Sequence, residues 1–274
     1  MLRLRKYLNP YMFMFTASVI LLFIQANLDL ALPDYLSRIV NTGIQQSGVE
    51  SPVAVAMRQE TFDHLLLFLS EEDSTAVQNA YTLVQSGTVE EADYLTQYPY
   101  LASQAIVVRN DLSDDEIEAL TNPMAEAFLA VSALEQAMAD PEAAAQMGGG
   151  GAFDLSRLPA GADLFALIGR LPAAQRTEIS ETMNERFAAL GETMVVQSAV
   201  VAVKAEYEAL GVDVAALQNS YILRVGAIML GVTLLSAVAT VTVGYLSAKI
   251  AAGIGRDLRS DIFRKVESFS SAEF

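Results

Sequence analysis

Apolar positions along this chain follow three rhythms. From Tyr11 to Ile24 they run almost unbroken behind Arg3, Arg5 and Lys6, and they resume from Leu28 to Leu32. From Val225 to Leu246 stand 22 residues without a charge, enough at ~1.5 Å per residue to cross about 30 Å of hydrocarbon. Between these runs, apolar residues recur every three or four positions among many acids, the spacing of amphipathic helices packed in water. The pattern predicts an all-α protein: two transmembrane helices, the second extended far into the cytoplasm, flanking a mainly helical extracytoplasmic domain. The boundaries fall at 1–45 for the N-terminus and first span, 46–214 for the insert, and 215–274 for the second span and its extension.

The second span does not end at the membrane surface. Ile250, Ile254, Leu258, Ile262 and Val266 follow four apart with charges between them, and no proline occurs from Tyr221 to Phe274. A helix unbroken to Val266 is on the order of 70 Å long. Its amphipathic part needs neighbours to cover it in water. Ser236, Thr240 and Gly244 stand at four-residue intervals, as do Ala227 and Gly231, small faces that let another helix approach closely. The Gly-x-Gly of Gly253 to Gly255 is a lone pair on a helix and carries no nucleotide-binding weight.

The first apolar stretch has the basic flank of a signal peptide, yet no small-x-small cleavage site follows Ile24, so it is read as a retained span. Gln25 and Asp29 share a face near its outer end, and Asn27 points nearly the other way. Two readings stay open for them. Polar side chains within a membrane mark a translocation path, because lipid cannot satisfy them; at the outer headgroups they need no special role. Pro33 kinks or interrupts the helix, and PDYLSRIVNTGI resumes it.

In the insert, SPVAVAMRQETFDHLLLFLS reads as a buried helix. Ser113 and Glu116 form a capping box ahead of Ile117 and Leu120. A separate helix starts at Pro123 with Met124, Phe128, Val131, Leu134 and Met138 on one face, a core stripe rather than a ligand groove. Further helices fit Gly161 to Gly169, Pro172 to Leu190 and Glu192 to Leu210. The run MVVQSAVVAV is too short to span a membrane and is expected as a buried helix or strand. Gly148 to Gly151 is a loop or a boundary; it lacks the Lys-Ser/Thr pair of a phosphate loop.

Charge changes the picture more than composition does. Residues 33–220 carry 28 acidic against 8 basic residues, whereas the first ten residues are purely basic and residues 247–274 hold five bases and four acids. The positive-inside rule places both termini in the cytoplasm and the acidic middle outside. So acidic a domain argues against nucleic acid, which needs clustered Lys and Arg. There are no cysteines and one histidine, so thiolate and histidine-cluster metal sites are excluded. His64 beside Asp63 makes no catalytic set, and the acid pairs Glu71-Glu72 and Asp114-Asp115 sit at helix starts, where the macrodipole favours them.

The tail GRDLRSDIFRKVESFSSAEF, with ALPDYLSRIVNTGI after the first span and YILRVGAIML opening the second, resembles the N-terminal membrane domain of ABC exporters. In that family six membrane helices are fused to an ATP-binding cassette and two such halves dimerise. The resemblance covers residues 1 to about 46 and 218 to 274. It implies that Gly255 to Phe274 ends the second membrane helix and approaches the first coupling helix, with Phe269, Ser270, Ser271, Glu273 and Phe274 as coupling-region candidates. It implies Gln25, Asn27 and Asp29 as translocation-path candidates. It further implies nucleotide-binding domains, a second half-transporter and membrane lipid as partners, an unidentified exported substrate, ATP and Mg for the intact protein, and residence in a bacterial cell membrane.

This sequence departs from the family pattern in three ways. The insert is far longer than the usual loop between the first two helices; the chain stops before the remaining four helices; it contains no Walker A sequence. On this reading it is the N-terminal part of a transporter subunit with no catalytic, cofactor or metal site of its own. The competing readings are a two-span sensory receptor with an extracytoplasmic ligand-binding domain, which shares the topology, and an accessory membrane protein.

Overall fold

The computed structural model describes residues 5–85, 94–139, 164–189 and 191–268. In chain order it begins with a short helix α1 (Arg5–Leu8), a 3-10 turn at Asn9–Tyr11, and the long helix α2 (Met12–Arg38). A π-helical stretch, Ile39–Gln45, follows without a break. Then come β1 (Ala56–Arg58), α3 (Gln59–Leu66), α4 (Glu71–Ala80), β2 (Tyr81–Val84), a 3-10 turn at Pro99–Ala102 and β3 (Ile106–Arg109). The rest is helical: α5 (Asp114–Ala139), α6 (Leu164–Gly169), α7 (Ala173–Ala188), α8 (Glu192–Ala209) and α9 (Val214–Glu267). The chain divides into two compact units, one of residues Met1–Val40 with Ile222–Phe274 and one of residues Asn41–Tyr221.

The first unit is a pair of apolar helices. The segments Asn9–Gln45 and Val214–Glu267, of 37 and 54 residues, are both long and apolar enough to cross a membrane. Helix α9 is continuous through all 54 residues, about 80 Å at ~1.5 Å per residue. The absence of proline and the unbroken helical period explain this, as expected from the sequence. Helix α2 also runs through Pro33 rather than stopping there; the lost backbone bond is confined to one turn of a 27-residue helix. Along α2, Met14, Ser18, Leu21, Gln25 and Leu28 are shielded at alternating spacings of four and three. On α9, Val232, Ser236, Ala239, Val243, Leu246 and Ile250 do the same. These positions mark the seam along which the two antiparallel helices face each other.

The second unit is mainly helical around a small sheet that the sequence reading missed. Its strand order is β1-β3-β2, all antiparallel, with Met57 opposite Val107 and Leu83 also opposite Val107. The stretch expected as one buried helix therefore divides: Ala56–Arg58 is a strand and only Gln59–Leu66 is helical. The apolar LLLFL ends that helix, with Leu65 and Phe68 buried in the core. Ala56–Arg58 holds no β-branched residue, but it pairs with the β-branched run Ile106–Val108, and that tertiary gain overrides local helix pattern.

Helix α5 brings a second correction. It starts at Asp114, not at Pro123, and passes through the proline. The capping box forms as expected, with Ser113 N donating to Glu116 Oε2 at 2.8 Å and Glu116 N to Ser113 Oγ at 3.4 Å. One apolar face then continues across Pro123 from Leu120 through Met124, Phe128, Val131 and Leu134, all buried, while Met138 is exposed. Burial of that face outweighs the single missing hydrogen bond. Helix α8 contains the run MVVQSAVVAV and buries Val195, Ala199, Val200 and Val203 against the core. The acid pairs Glu71-Glu72 and Asp114-Asp115 fall in the first turns of α4 and α5. The Gly148–Gly151 run lies outside the described residues.

Candidate functional site

In the membrane-type unit, polar side chains meet at both ends of the α2–α9 seam. Near the N-terminus, the Tyr7 hydroxyl donates to Asp261 Oδ2 at 2.7 Å and the Tyr11 hydroxyl to Asp257 Oδ2 at 3.1 Å. Arg256 Nη2 lies 3.0 Å from Asp257 Oδ1 and 3.4 Å from the Tyr11 hydroxyl oxygen. At the other end, Ser236 Oγ donates to Asp29 Oδ1 at 2.6 Å. Partners climb on one helix as they descend on the other, which fixes the antiparallel register.

The three path candidates separate. Asp29 is exposed on the rim of the seam, bonded to Ser236; Gln25 is half-buried within the seam. Asn27 is exposed and donates its Nδ2 to Phe23 O, one turn back on its own helix, at 2.7 Å. The packing candidates separate too. Ser236 is buried against α2, whereas Thr240 and Gly244 are exposed and a Cβ on Gly244 would meet nothing within 4 Å. Thr240 satisfies its hydroxyl on Ser236 O at 2.9 Å. The coupling-region candidates Phe269, Ser270, Ser271, Glu273 and Phe274 lie outside the described residues.

Within the second unit, β1 and α8 share a buried charge network that no local pattern announces. Glu206 is only 4% exposed. Its Oε2 accepts from Arg58 Nη2 at 2.7 Å and from Thr61 Oγ1 at 3.0 Å; its Oε1 accepts from Arg58 N at 2.7 Å. The hydrogen bond to Glu206 pushes the Arg58 guanidinium above its ordinary range. A buried carboxylate is tolerable only with such full satisfaction. Beside it, Tyr207 on α8 accepts from Val55 N at 2.8 Å, and the Tyr81 hydroxyl donates to Ala54 O at 2.7 Å. Burial raises both phenols and lifts Tyr98 to about 12. These groups lock β1 and the segment before it to the core.

His64 stacks on Phe165 at 3.7 Å between ring centroids, with the planes 8° apart. With Gln59, Glu60, Asp63, Gln104 and Ala105 it lines a surface pocket of about 330 Å³. Among the described residues no group of three or more metal-ligating side chains assembles. The histidine is a packing residue at the pocket's edge, as a lone His beside an apolar run is expected to be.

Comparison with known proteins adds one line of evidence. Over 52 residues the chain is 46% identical to proteins described as uncharacterized ABC transporter ATP-binding proteins, one from Mycobacterium bovis and two from strains of Mycobacterium tuberculosis. The match covers 19% of this chain and 9% of each relative. This chain therefore matches a small part of the length of those relatives. No family model and no solved structure matches it.

Proposed function

We propose that this chain is the N-terminal part of the membrane domain of an ABC exporter subunit, supplying one wall of the translocation path and a lever toward the nucleotide-binding domains. The observation that carries the proposal is the uninterrupted 54-residue helix α9, apolar at first and charged and amphipathic afterwards. A helix longer than any bilayer requires is a rod on which a cytoplasmic engine can act. The similarity to ABC transporter ATP-binding proteins over 52 residues supports the same reading.

On this proposal both termini are cytoplasmic, the acidic unit of Asn41–Tyr221 stands outside a bacterial cell membrane, and the segment Phe269 to Phe274 engages the coupling region. Bulky side chains left open on the helix pair, such as Leu223, Val241 and Tyr245, meet lipid or further membrane helices. The intact transporter takes ATP and Mg on its nucleotide-binding domains, pairs with a second half-transporter and drives an exported substrate past Gln25 and Asp29.

The test is on the full-length protein, read from its locus and reconstituted into vesicles with ATP and Mg. Vanadate-sensitive hydrolysis linked to solute movement supports the proposal; a kinase or a methyl-accepting coiled coil encoded after Phe274 overturns it in favour of a receptor. Coupling is tested by Glu273→Ala with Phe274→Ala, which should uncouple substrate-stimulated hydrolysis from the basal rate. Retained stimulation removes those residues from the coupling region.

A further inference from the structure

The depth of Asp29 in the membrane is set by two contacts on the α2–α9 seam. From Tyr11 to Asp29 along α2 is 18 residues, and from Ser236 to Asp257 along α9 is 21. At ~1.5 Å per residue these separations are roughly 27 and 31 Å, close to the ~30 Å of a hydrocarbon core. The Arg256–Asp257 pair, Arg256 exposed and Asp257 half-buried, has exposed Arg259 one turn on. It belongs at the inner interface or beyond it. The Asp29–Ser236 bond then lies no higher than the outer edge of the hydrocarbon.

The other limit comes from the uncharged run. Centring Val225–Leu246 on the bilayer puts Ser236, eleven residues past Val225, next to the midplane. Between these limits Asp29 sits in the outer leaflet, at or below its headgroup boundary. An ionised carboxylate there is costly against lipid and belongs beside protein or water. Ser236 occupies Oδ1 alone, and the rest of Asp29 is exposed on the helix pair. The far side of α2 is lipid-like: Phe23 is 71% exposed and Leu30 77%. Leu22, two turns before Asp29, shares its side and is exposed as well.

We infer that Asp29 lines a water-filled path within the outer leaflet, and that its carboxylate makes this stretch of the path receive cations in preference to anions. The inference deepens the transport reading of the same residues and rests on it. Held by Ser236, the carboxylate stands at the rim of the seam, where a passing cation or hydrogen-bond donor reaches its open oxygen. The solute class that fits is cationic.

This chain contributes no cysteine, and any cysteine elsewhere in the full-length protein is first replaced so that an introduced thiol stands alone. In that protein in membranes, Leu22→Cys is treated with a cationic and an anionic membrane-impermeant methanethiosulfonate. The expected result is reaction with both, the cationic reagent faster by on the order of tenfold, and loss of that preference when Asp29→Asn is added. Phe23→Cys and Leu30→Cys should stay unreactive. Silence at Leu22→Cys overturns the inference, as does equal reaction at Phe23→Cys and Leu30→Cys, which would place the whole segment in water. An unchanged preference after Asp29→Asn overturns the role of the carboxylate. If Leu22→Cys fails to assemble, Asp29→Cys reads access at the site itself, and its silence overturns the inference. Labelling is read without transport: absence of ATP hydrolysis in the unsubstituted protein sinks the exporter reading alone, and an unreactive Leu22→Cys in a hydrolysing protein sinks this inference alone.

Discussion

The phenol of Tyr11 occupies the space that a side chain at Gly253 would need. A Cβ built on Gly253 overlaps the Tyr11 ring, with Tyr11 Cε1 2.7 Å away. The glycine lets the aromatic ring cross α9 and present its hydroxyl to Asp257 one turn further on. Gly253→Ala should therefore displace Tyr11 and destabilise the helix pair by about 1–3 kcal/mol, the usual cost of overpacking. Thermal unfolding in detergent, compared with Tyr11→Ala and the double variant, checks this. Strong non-additivity is expected, because removing the ring removes the clash; additive effects would mean the two residues do not touch.

The Arg58–Glu206 pair predicts a different pattern. Removing Arg58 strands a carboxylate with little water, so Arg58→Met should cost about 3–5 kcal/mol in denaturant unfolding, and Glu206→Gln should cost less because the Arg58 side chain is 27% exposed. Replacing both, as Arg58→Met with Glu206→Leu, should cost clearly less than the sum. Thr61 Oγ1 and Arg58 N both lose their acceptor in Glu206→Leu, so the double variant is not expected to reach the original stability. Single variants within about 0.5 kcal/mol of the parent would show that the pair is solvated.

How much of this was readable beforehand depends on sequence distance. The uncharged run of α9, its proline-free extension and the Ser113–Glu116 box are local, and a local pattern suffices to find them. The strands are three or four residues long, too short for a period to declare itself. Pro123 reads as a helix start because local chemistry favours it there, and only the buried face running through it on both sides decides otherwise. Ser236 and Asp29 are 207 residues apart and Arg58 and Glu206 are 148 apart; no spacing rule joins such partners. Gly253 carried no chemical motif because its role is to leave room.

Glu126 gives a pH dependence with a definite sign. Burial is the larger cause, and Asp73 the smaller, that raises its carboxyl above the ordinary range. It accepts from Asn184 Nδ2 at 2.6 Å. A raised folded value means that the native state holds this proton more tightly than the unfolded chain does. The charged form therefore costs stability at neutral pH, and the cost is relieved as pH falls through the raised value toward 4.5. Glu126→Gln keeps an acceptor for Asn184 and should stabilise by less than about 1 kcal/mol at pH 7. That gain should shrink to nothing as the parent protonates. Chemical unfolding at pH 7 and pH 5 measures both; a gain that grows on acidification would contradict the sign.

Ser236 tests whether the seam is specified by shape or by polarity. Its hydroxyl is buried between the helices and donates to Asp29. Ser236→Ala keeps the small volume and deletes the donor, so it should cost only about 0.5–2 kcal/mol, the range of interhelical hydrogen bonds in membranes. Ser236→Leu keeps neither, and its bulk falls on a seam packed at small positions, with Ala239 beside it also buried. It should separate the helices and cost more than the alanine variant by at least about 1 kcal/mol. Unfolding of the detergent-solubilised protein, with Asp29→Asn as a third variant, separates the terms. If shape governs, Ser236→Ala and Asp29→Asn are both mild and Ser236→Leu alone is severe. If polarity governs, Ser236→Ala matches Ser236→Leu, because each leaves the Asp29 carboxylate without its donor.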